Sequence, residues 1–433
     1  MTGRKKAVWR SGIRELTNSL TNSLAFRGKL CEHGSMKQNN DHREHRLACT
    51  RRDFLRLGAT LAVGAPFAGP WFRALGQTAA AAPLARTKAA VGIVSCKTYG
   101  GPELTAALRQ CFDLIGGVDQ LVRNKTVTIK INLTGGDFKN FLDRPVGETY
   151  LTHPATVMAL TPLLFGAGAT RVRIVEAIPV RTGLEDGLVK AGWDVNALTA
   201  LGKVEYENTR NLGSGTAYAT LPVPFGGYMF SALNVNHCYH DTDVLISLCK
   251  LKRHVTNGIT LSMKNLFGMA PYALYGSAAG TAGNETATAT LQPLHSPNDR
   301  VKLPGLKADA SWRDPYSRVP RVVVDACAAR PIDLAIIDGI TAMTSGEGPW
   351  AVKQPEVKVT TPGILIAGRN PVSTDAVGTA VMGYNPRTAR MTHPFDKGDN
   401  FLLLAEQAGL GSADLAQIDV RGLTIEKAHY QYD

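Results

Sequence analysis

Short apolar runs rich in Val and Ile recur along the chain, separated by stretches of helical periodicity. The runs lie at 91–96, 126–131, 171–176, 244–248, 334–338 and 364–368. Most are apolar on both parities, the pattern of strands covered on both faces of a mainly parallel sheet. Helices are expected at 103–115, 154–165, 184–191, 257–267, 373–382 and 401–408. The alternation predicts an α/β fold, a mainly parallel sheet with helices on both faces, built as one unit or as two lobes. Two stretches break the rhythm. Residues 212–236, rich in Gly, Pro and aromatics, read as a hairpin or a lobe junction. Residues 270–320 read as a long irregular loop, either disordered or acting as a lid, binding loop or oligomer arm.

The N-terminal region follows a different pattern. Thr50-Arg51-Arg52-Asp53-Phe54-Leu55-Arg56 precedes a weakly apolar run at 57–69 and small residues at 77–82. That order predicts a twin-arginine export signal, with Arg51 and Arg52 as its signature and an A-x-A cleavage site. Residues 1–82 are therefore expected to be a leader and signal peptide, disordered over 1–35, with Met36 as the true start. Residues 88–433 are expected to be the α/β domain. The implied partner is the twin-arginine translocase, and the implied destination is the periplasm or the extracellular space.

Charge changes once the leader is set aside. The chain has 48 Lys and Arg against 36 Asp and Glu, a formal net charge of +12. Residues 1–82 hold 14 of those bases and 5 of the acids, so the remainder carries 34 against 31. No basic stripe of the nucleic-acid type is left. After the leader no apolar run reaches the length of a membrane span. Five cysteines remain there (Cys96, Cys111, Cys238, Cys249 and Cys327), with no C-x-x-C spacing. An iron–sulfur cluster bound by this chain is not expected, and buried thiols are.

The densest polar cluster runs from Asp243 to Gly268. A strand is expected to end near Cys249, and if the chain stays extended, Lys250, Lys252 and His254 share one side. A helix expected from Thr256 or Asn257 would offer its leading amides to an anion. Thr260 and Lys264 would then share a helical face. The cluster reads either as a pocket for phosphate, carboxylate or an anionic cofactor, or as a solvated basic turn.

Lys250-Leu251-Lys252-Arg253-His254, followed by Thr260-Leu261-Ser262-Met263-Lys264-Asn265-Leu266-Phe267-Gly268, resembles the signature of the family called domain of unknown function 362. Further matching elements are Lys130-Ile131-Asn132-Leu133, Thr152-His153-Pro154, Gly166-Ala167-Gly168-Ala169, Ile336-Ile337-Asp338-Gly339-Ile340, Gly346-Glu347-Gly348-Pro349-Trp350 and Asn370-Pro371 through Asp375. The likeness extends over roughly residues 88–425 and is to the exported branch of that family. It implies no assigned activity. Some members carry ferredoxin-like cysteine motifs, from which this chain departs.

Single residues offer paired readings. His153, ahead of Pro154, is a metal ligand or general base, or else caps its own helix. Asp338 before Gly339 suits a metal or a substrate hydroxyl, or a plain turn. Glu347 sits between glycines that let backbone approach a ligand. Asp375 suits the positive end of its helix. His237 and His240 have a metal-compatible spacing; His295 and His393 carry weaker signals. Phosphate-loop, dinucleotide, nucleophile-elbow and zinc-protease motifs are missing.

The sequence thus points to an exported α/β protein with an enzyme-like site at strand ends. Lys130, Asn132, Lys250, Lys252, Thr260, Lys264 and Asn265 would bind a small anionic ligand. His153 and His254 would be catalytic, and Asp338 and Glu347 would hold a divalent metal. The alternative is a non-catalytic binding or accessory protein for an anionic ligand, a metallocofactor or an iron–sulfur redox partner.

Overall fold

A computed structural model describes residues 88–179, 183–277, 290–296, 302–308, 315–351 and 357–432. The six apolar runs are strands, and two more join them in one sheet. In chain order the strands are β1 (Ala89–Ser95), β2 (Thr126–Lys130), β3 (Arg171–Glu176), β4 (Val204–Asn208), β5 (Val244–Lys250), β6 (Leu334–Gly339), β7 (Ile364–Gly368) and β8 (Ile418–Gly422). Their spatial order is β8-β1-β7-β6-β5-β2-β3-β4. β7 runs antiparallel to both its neighbours, and every other adjacent pair is parallel. The two unanticipated strands, β4 and β8, are the edges. Each has one unpaired flank and a sequence mixing charged with apolar residues, so the continuous apolar signal is missing there.

Burial on both faces explains the apolar runs. Along β5, Leu245 and Cys249 pack into one core, while Val244, Ile246 and Leu248 pack into the other. The second core is covered by helices α1 (Gly101–Leu114), α2 (Pro154–Gly166) and α3 (Leu184–Lys190). The first is covered by α4 (Leu261–Asn265), α5 (Pro315–Ala329), α6 (Pro371–Val381) and α7 (Phe401–Gln407). α2 stops at Gly168, whose φ of 97° lets the Gly168 and Ala169 amides turn back onto the last carbonyls of the helix. The five described cysteines are buried thiols.

Some expectations are met and others are corrected. The sheet is continuous from edge to edge and the described residues form one unit, the first of the two arrangements expected. Residues 212–236 contain a hairpin, Ala219–Pro222 against Ala232–Val235. The 270–320 segment is not wholly irregular, because it holds short helices at Tyr272–Tyr275 and Gln292–His295 and the start of α5. α5 was hidden by Pro320, which sits inside it and breaks the helical pattern on paper. The leader and its arginine pair lie outside the described residues.

The expected helix over 257–267 starts four residues late, and beyond α4 it continues as a 3-10 turn at Leu266–Met269. Arg253–His254 pairs with Gly258–Ile259 in a tight hairpin, and α4 begins only at Leu261. Gly258 makes the turn with φ at 80°, and a side chain there would collide with Pro394 and Phe395. Leu261 itself adopts φ of 41°, a strained conformation for a branched residue. The leading amides of α4 are not open to a ligand. Asp375 on α6 accepts from the Ser262 and Met263 amides at 2.9 and 2.8 Å and from the Ser262 hydroxyl at 2.6 Å. The acceptor at this helix start is the protein's own Asp375 carboxyl group, whose pKa burial raises to about 7.

Candidate functional site

Parallel strands deliver their last residues to one edge of the sheet, where α/β proteins bind ligands. Here β2 ends at Lys130, β3 at Glu176 and β5 at Lys250, and Asp338 is the penultimate residue of β6. Both lysines are buried, so each needs a partner. Lys130 Nζ lies 2.7 Å from Glu176 Oε1 and also donates to the Ile131 carbonyl. Lys250 Nζ lies 3.1 Å from Asp338 Oδ2 and also donates to Thr341 O and to the Tyr99 hydroxyl. Burial pulls both ammonium groups below the usual lysine range, and the partner carboxylates pull them back up.

The Lys250–Asp338 pair is sealed. Tyr99 OH and Thr156 Oγ1 donate to Asp338, as does the Ile340 amide. The His153 ring stacks on Tyr99 with centroids 3.5 Å apart. His153 Nδ1 accepts from the Ala155 amide, so this histidine does cap its own helix. Burial, then Lys250, holds its imidazole down at about 4. Lys250 and Asp338 therefore form a buried pair, with His153 stacked outside it on Tyr99, and none of the three lines the cavity described next.

That cavity, about 470 Å³, opens beside the ends of β2 and β3. Its walls include Lys130, Asn132 and Glu176 from the strand ends, and Lys264 and Asn265 from α4. His254, Glu347 and Trp350 close another side, and Gln292 and His295 come from the loop beyond residue 270. The segment beyond residue 270 thus contributes part of the cavity wall. Asn265 crosslinks the floor, donating to the Lys130 carbonyl and accepting from Asn132 Nδ2.

Lys252 lies behind the wall. Its ammonium donates to Asn132 Oδ1 and Glu347 O, each at 3.0 Å, and to the Tyr150 carbonyl. Burial lowers it to about 7, yet three acceptors match the three donors of the charged form. Thr260 is spent on the Arg253 carbonyl and does not line the cavity. Of the expected anion-binding set, Lys130, Asn132, Lys264 and Asn265 reach the cavity, whereas Lys250, Lys252 and Thr260 do not.

Lys264 differs from the other lysines. It is 8% exposed, lines the cavity and sits 4.1 Å from the Phe267 ring centroid. Among the described residues it has no hydrogen-bond acceptor and no carboxylate within ion-pair distance. Burial depresses it to about 8, with Glu347 working in the opposite direction.

The two cavity histidines are neutral and complementary. His254 Nδ1 accepts from the Thr256 and Asn257 amides, which puts its proton on Nε2. Although Glu347 is 3.9 Å away, an Nδ1 facing two N–H donors cannot be protonated, and burial drives the ring down to about 3. His295 is the reverse. Its Nδ1 donates to Leu291 O at 2.9 Å, leaving Nε2 as an acceptor. Burial, then Lys264, lowers it to about 4.

Glu347 accepts from the Val255 amide and the Trp350 indole N–H. Burial opposes its ionisation, but those two donors and the Lys252 ammonium favour the carboxylate and hold it below the usual glutamate range. The glycines flanking this region admit the Trp350 ring, because side chains at Gly135 or Gly348 would press on it. Asp338 and Glu347 do not meet as a metal pair, since one belongs to Lys250 and the other to the cavity wall. Sequence reasoning undervalued His295, which lies in a weakly patterned loop, and missed Glu176, an acid ending an apolar strand.

The wider comparisons come next. The family model described as Domain of unknown function (DUF362) matches residues 127–380. The Thylakoid-associated protein sll1697 of Synechocystis sp. (strain ATCC 27184 / PCC 6803 / Kazusa) is 26% identical over 301 residues, which is 69% of this chain and 76% of that protein. A structural-genomics crystal structure from Thermotoga maritima aligns at TM-score 0.32 and 14% identity, over 72% of this chain and 60% of that one. The lactate racemase apoprotein from Thermoanaerobacterium thermosaccharolyticum aligns at TM-score 0.31 and 13% identity, over 65% and 55%. Those two likenesses are too slight to carry an argument about chemistry. Among the described residues no helix is long and apolar enough to cross a membrane. With β2 through most of α6 inside the matched span, including every strand-end residue of the cavity, the chain belongs to the family described as Domain of unknown function (DUF362).

Proposed function

We propose that the cavity binds a small organic anion, a carboxylate or phosphate bearing a hydroxyl group, in a protein exported already folded. The observation that carries the reading is the Lys264 ammonium, buried at the cavity wall without an acceptor among the described residues. A buried charge of that kind is costly until it meets an opposite one. The ligand's anionic group would take that place. Its hydroxyl would donate to His295 Nε2, and a further oxygen would accept from His254 Nε2–H. Asn132 and Asn265 supply neutral polar surface, and Glu347 disfavours a second negative charge on its side. Titration of Lys264 near 8 gives the site a group able to exchange a proton at neutral pH, which favours an enzyme-like role. The non-catalytic alternative uses the same cavity, and retained affinity without turnover would select it.

Lys264→Ala should weaken binding of sulfate and of small hydroxycarboxylates by roughly 10- to 100-fold, the scale of one charge-assisted hydrogen bond. Only the protonated lysine attracts the anion. Sulfate affinity, read by calorimetric titration, should therefore stay level below about pH 8 and decline above it. Unchanged affinity in a normally folded Lys264→Ala protein would remove the assignment. His295→Ala should erase the preference for a hydroxycarboxylate over its deoxy analogue while leaving the deoxy affinity intact. Equal losses for both ligands would show that His295 only shapes the wall.

Export rests on the arginine pair and the segments that follow it. Replacing Arg51 and Arg52 together by Lys should trap folded protein in the cytoplasm of a host with the twin-arginine pathway, as cell fractionation would show. Continued export would point to another route.

A further inference from the structure

At the outer edge of the sheet, β4 brings Glu207 beside the short turn His237–Tyr239. Glu207, His237 and Cys238 each offer one ligand atom, and these atoms lie within 4.8 Å of one another. We infer that they form a site for zinc, separate from the anion cavity.

The donor set is one imidazole, one thiolate and one carboxylate, which suits a borderline-soft cation preferring four-coordination. His237 Nε2 is 3.7 Å from Cys238 Sγ and 4.0 Å from Glu207 Oε1. Tetrahedral zinc at ordinary bond lengths would set such ligand atoms about 3.3–3.8 Å apart; the His237–Cys238 edge already falls in that range, and Glu207 would have to move in towards the other two. The Ser214 hydroxyl completes the ring, 3.1 Å from His237 Nε2 and 2.8 Å from Glu207 Oε2. It marks the fourth position, for itself or for a water.

The surroundings match a ligand histidine. His237 Nδ1 lies 3.2 Å from Asp241 Oδ2, and a carboxylate there keeps the proton on Nδ1 and the lone pair on Nε2. His237 is partly exposed while Glu207 and Cys238 are buried, which gives a cation a way in and leaves its inner ligands shielded. The chain also makes room. A side chain at Gly213 would collide with the Glu207 carboxylate, and one at Gly215 with the His237 ring. His240, the spacing partner suggested by sequence, is exposed and pairs with Asp241 instead. A bound zinc would tie the end of β4 to the turn before β5. The Thr209 amide, two residues beyond Glu207, donates to the Glu176 carbonyl, so the brace would reach the wall of the anion cavity.

The test uses the purified protein after chelator treatment and dialysis. Cobalt(II) replaces zinc as a coloured probe, and zinc alone is titrated against a chromogenic chelator. One equivalent of cobalt should produce thiolate-to-metal charge-transfer absorption, and one equivalent of zinc should abolish it. Cys238→Ser should lose that band, and His237→Ala and Glu207→Gln should lose stoichiometric zinc binding. Asp241→Asn should weaken zinc binding about 10- to 100-fold, as expected of a group that orients a ligand. His240→Ala should leave zinc binding unchanged. The wild-type cobalt spectrum needs no variant, so a poorly folded Cys238→Ser protein does not spoil the test. Failure to bind zinc, a cobalt spectrum lacking the thiolate band, or equal zinc affinity in Cys238→Ser would overturn the assignment, leaving His237 as an imidazole between two carboxylates.

Discussion

A lysine at the end of a buried parallel strand cannot leave its charge uncompensated, and this protein is organised around that constraint. Burial on both faces makes the strands apolar up to their last residues, so a terminal ammonium emerges into a dry environment. β2 and β5 meet the demand in the same way, each borrowing a carboxylate from a parallel neighbour: Glu176 from β3 and Asp338 from β6. The two pairs then diverge. Tyr99, Thr156 and His153 cover the Lys250–Asp338 pair and make it part of the core, whereas the Lys130–Glu176 pair stays at a cavity wall. Lys264, arriving from α4 on the opposite core, has no such partner among the described residues and gives the cavity its excess positive character.

The sequence discloses some of this and hides the rest for physical reasons. Strands buried on both faces leave a continuous Val and Ile signature, so all six interior strands are legible. The edges β4 and β8 are half polar and are not. Helix periodicity finds α1 and α2 but places the start of α4 too early, because a hairpin turning on Gly258 uses residues that also suit a helix start. Of the residues expected at the site, Lys130, Asn132, Lys264, Asn265, His254 and Glu347 line one cavity. The expected set also includes Lys250 and Asp338, whose pairing across 88 residues of sequence leaves no local trace. The leading amides of α4 illustrate the same limit: an anion site read from capping chemistry is filled by Asp375, more than a hundred residues away.

Histidine assignments show how much depends on the second ring nitrogen. His153 and His254 both accept backbone amides at Nδ1, but only His254 lines the cavity, where it offers a donor. His295 donates at Nδ1 to a carbonyl and offers an acceptor. His237 rests on Asp241, with its free nitrogen facing Cys238 and Glu207. Four histidines thus have four different capacities, set by the group each ring touches on its far side.

The central claim is that Lys264 is the uncompensated charge that draws an anion into the cavity. Anomalous diffraction from crystals of the protein soaked in selenate tests it most directly. The account predicts selenium density within hydrogen-bonding distance of Lys264 Nζ, beside His254 and His295. Density elsewhere with that cavity empty, or a Lys264 ammonium already bonded to a protein carboxylate, would contradict it.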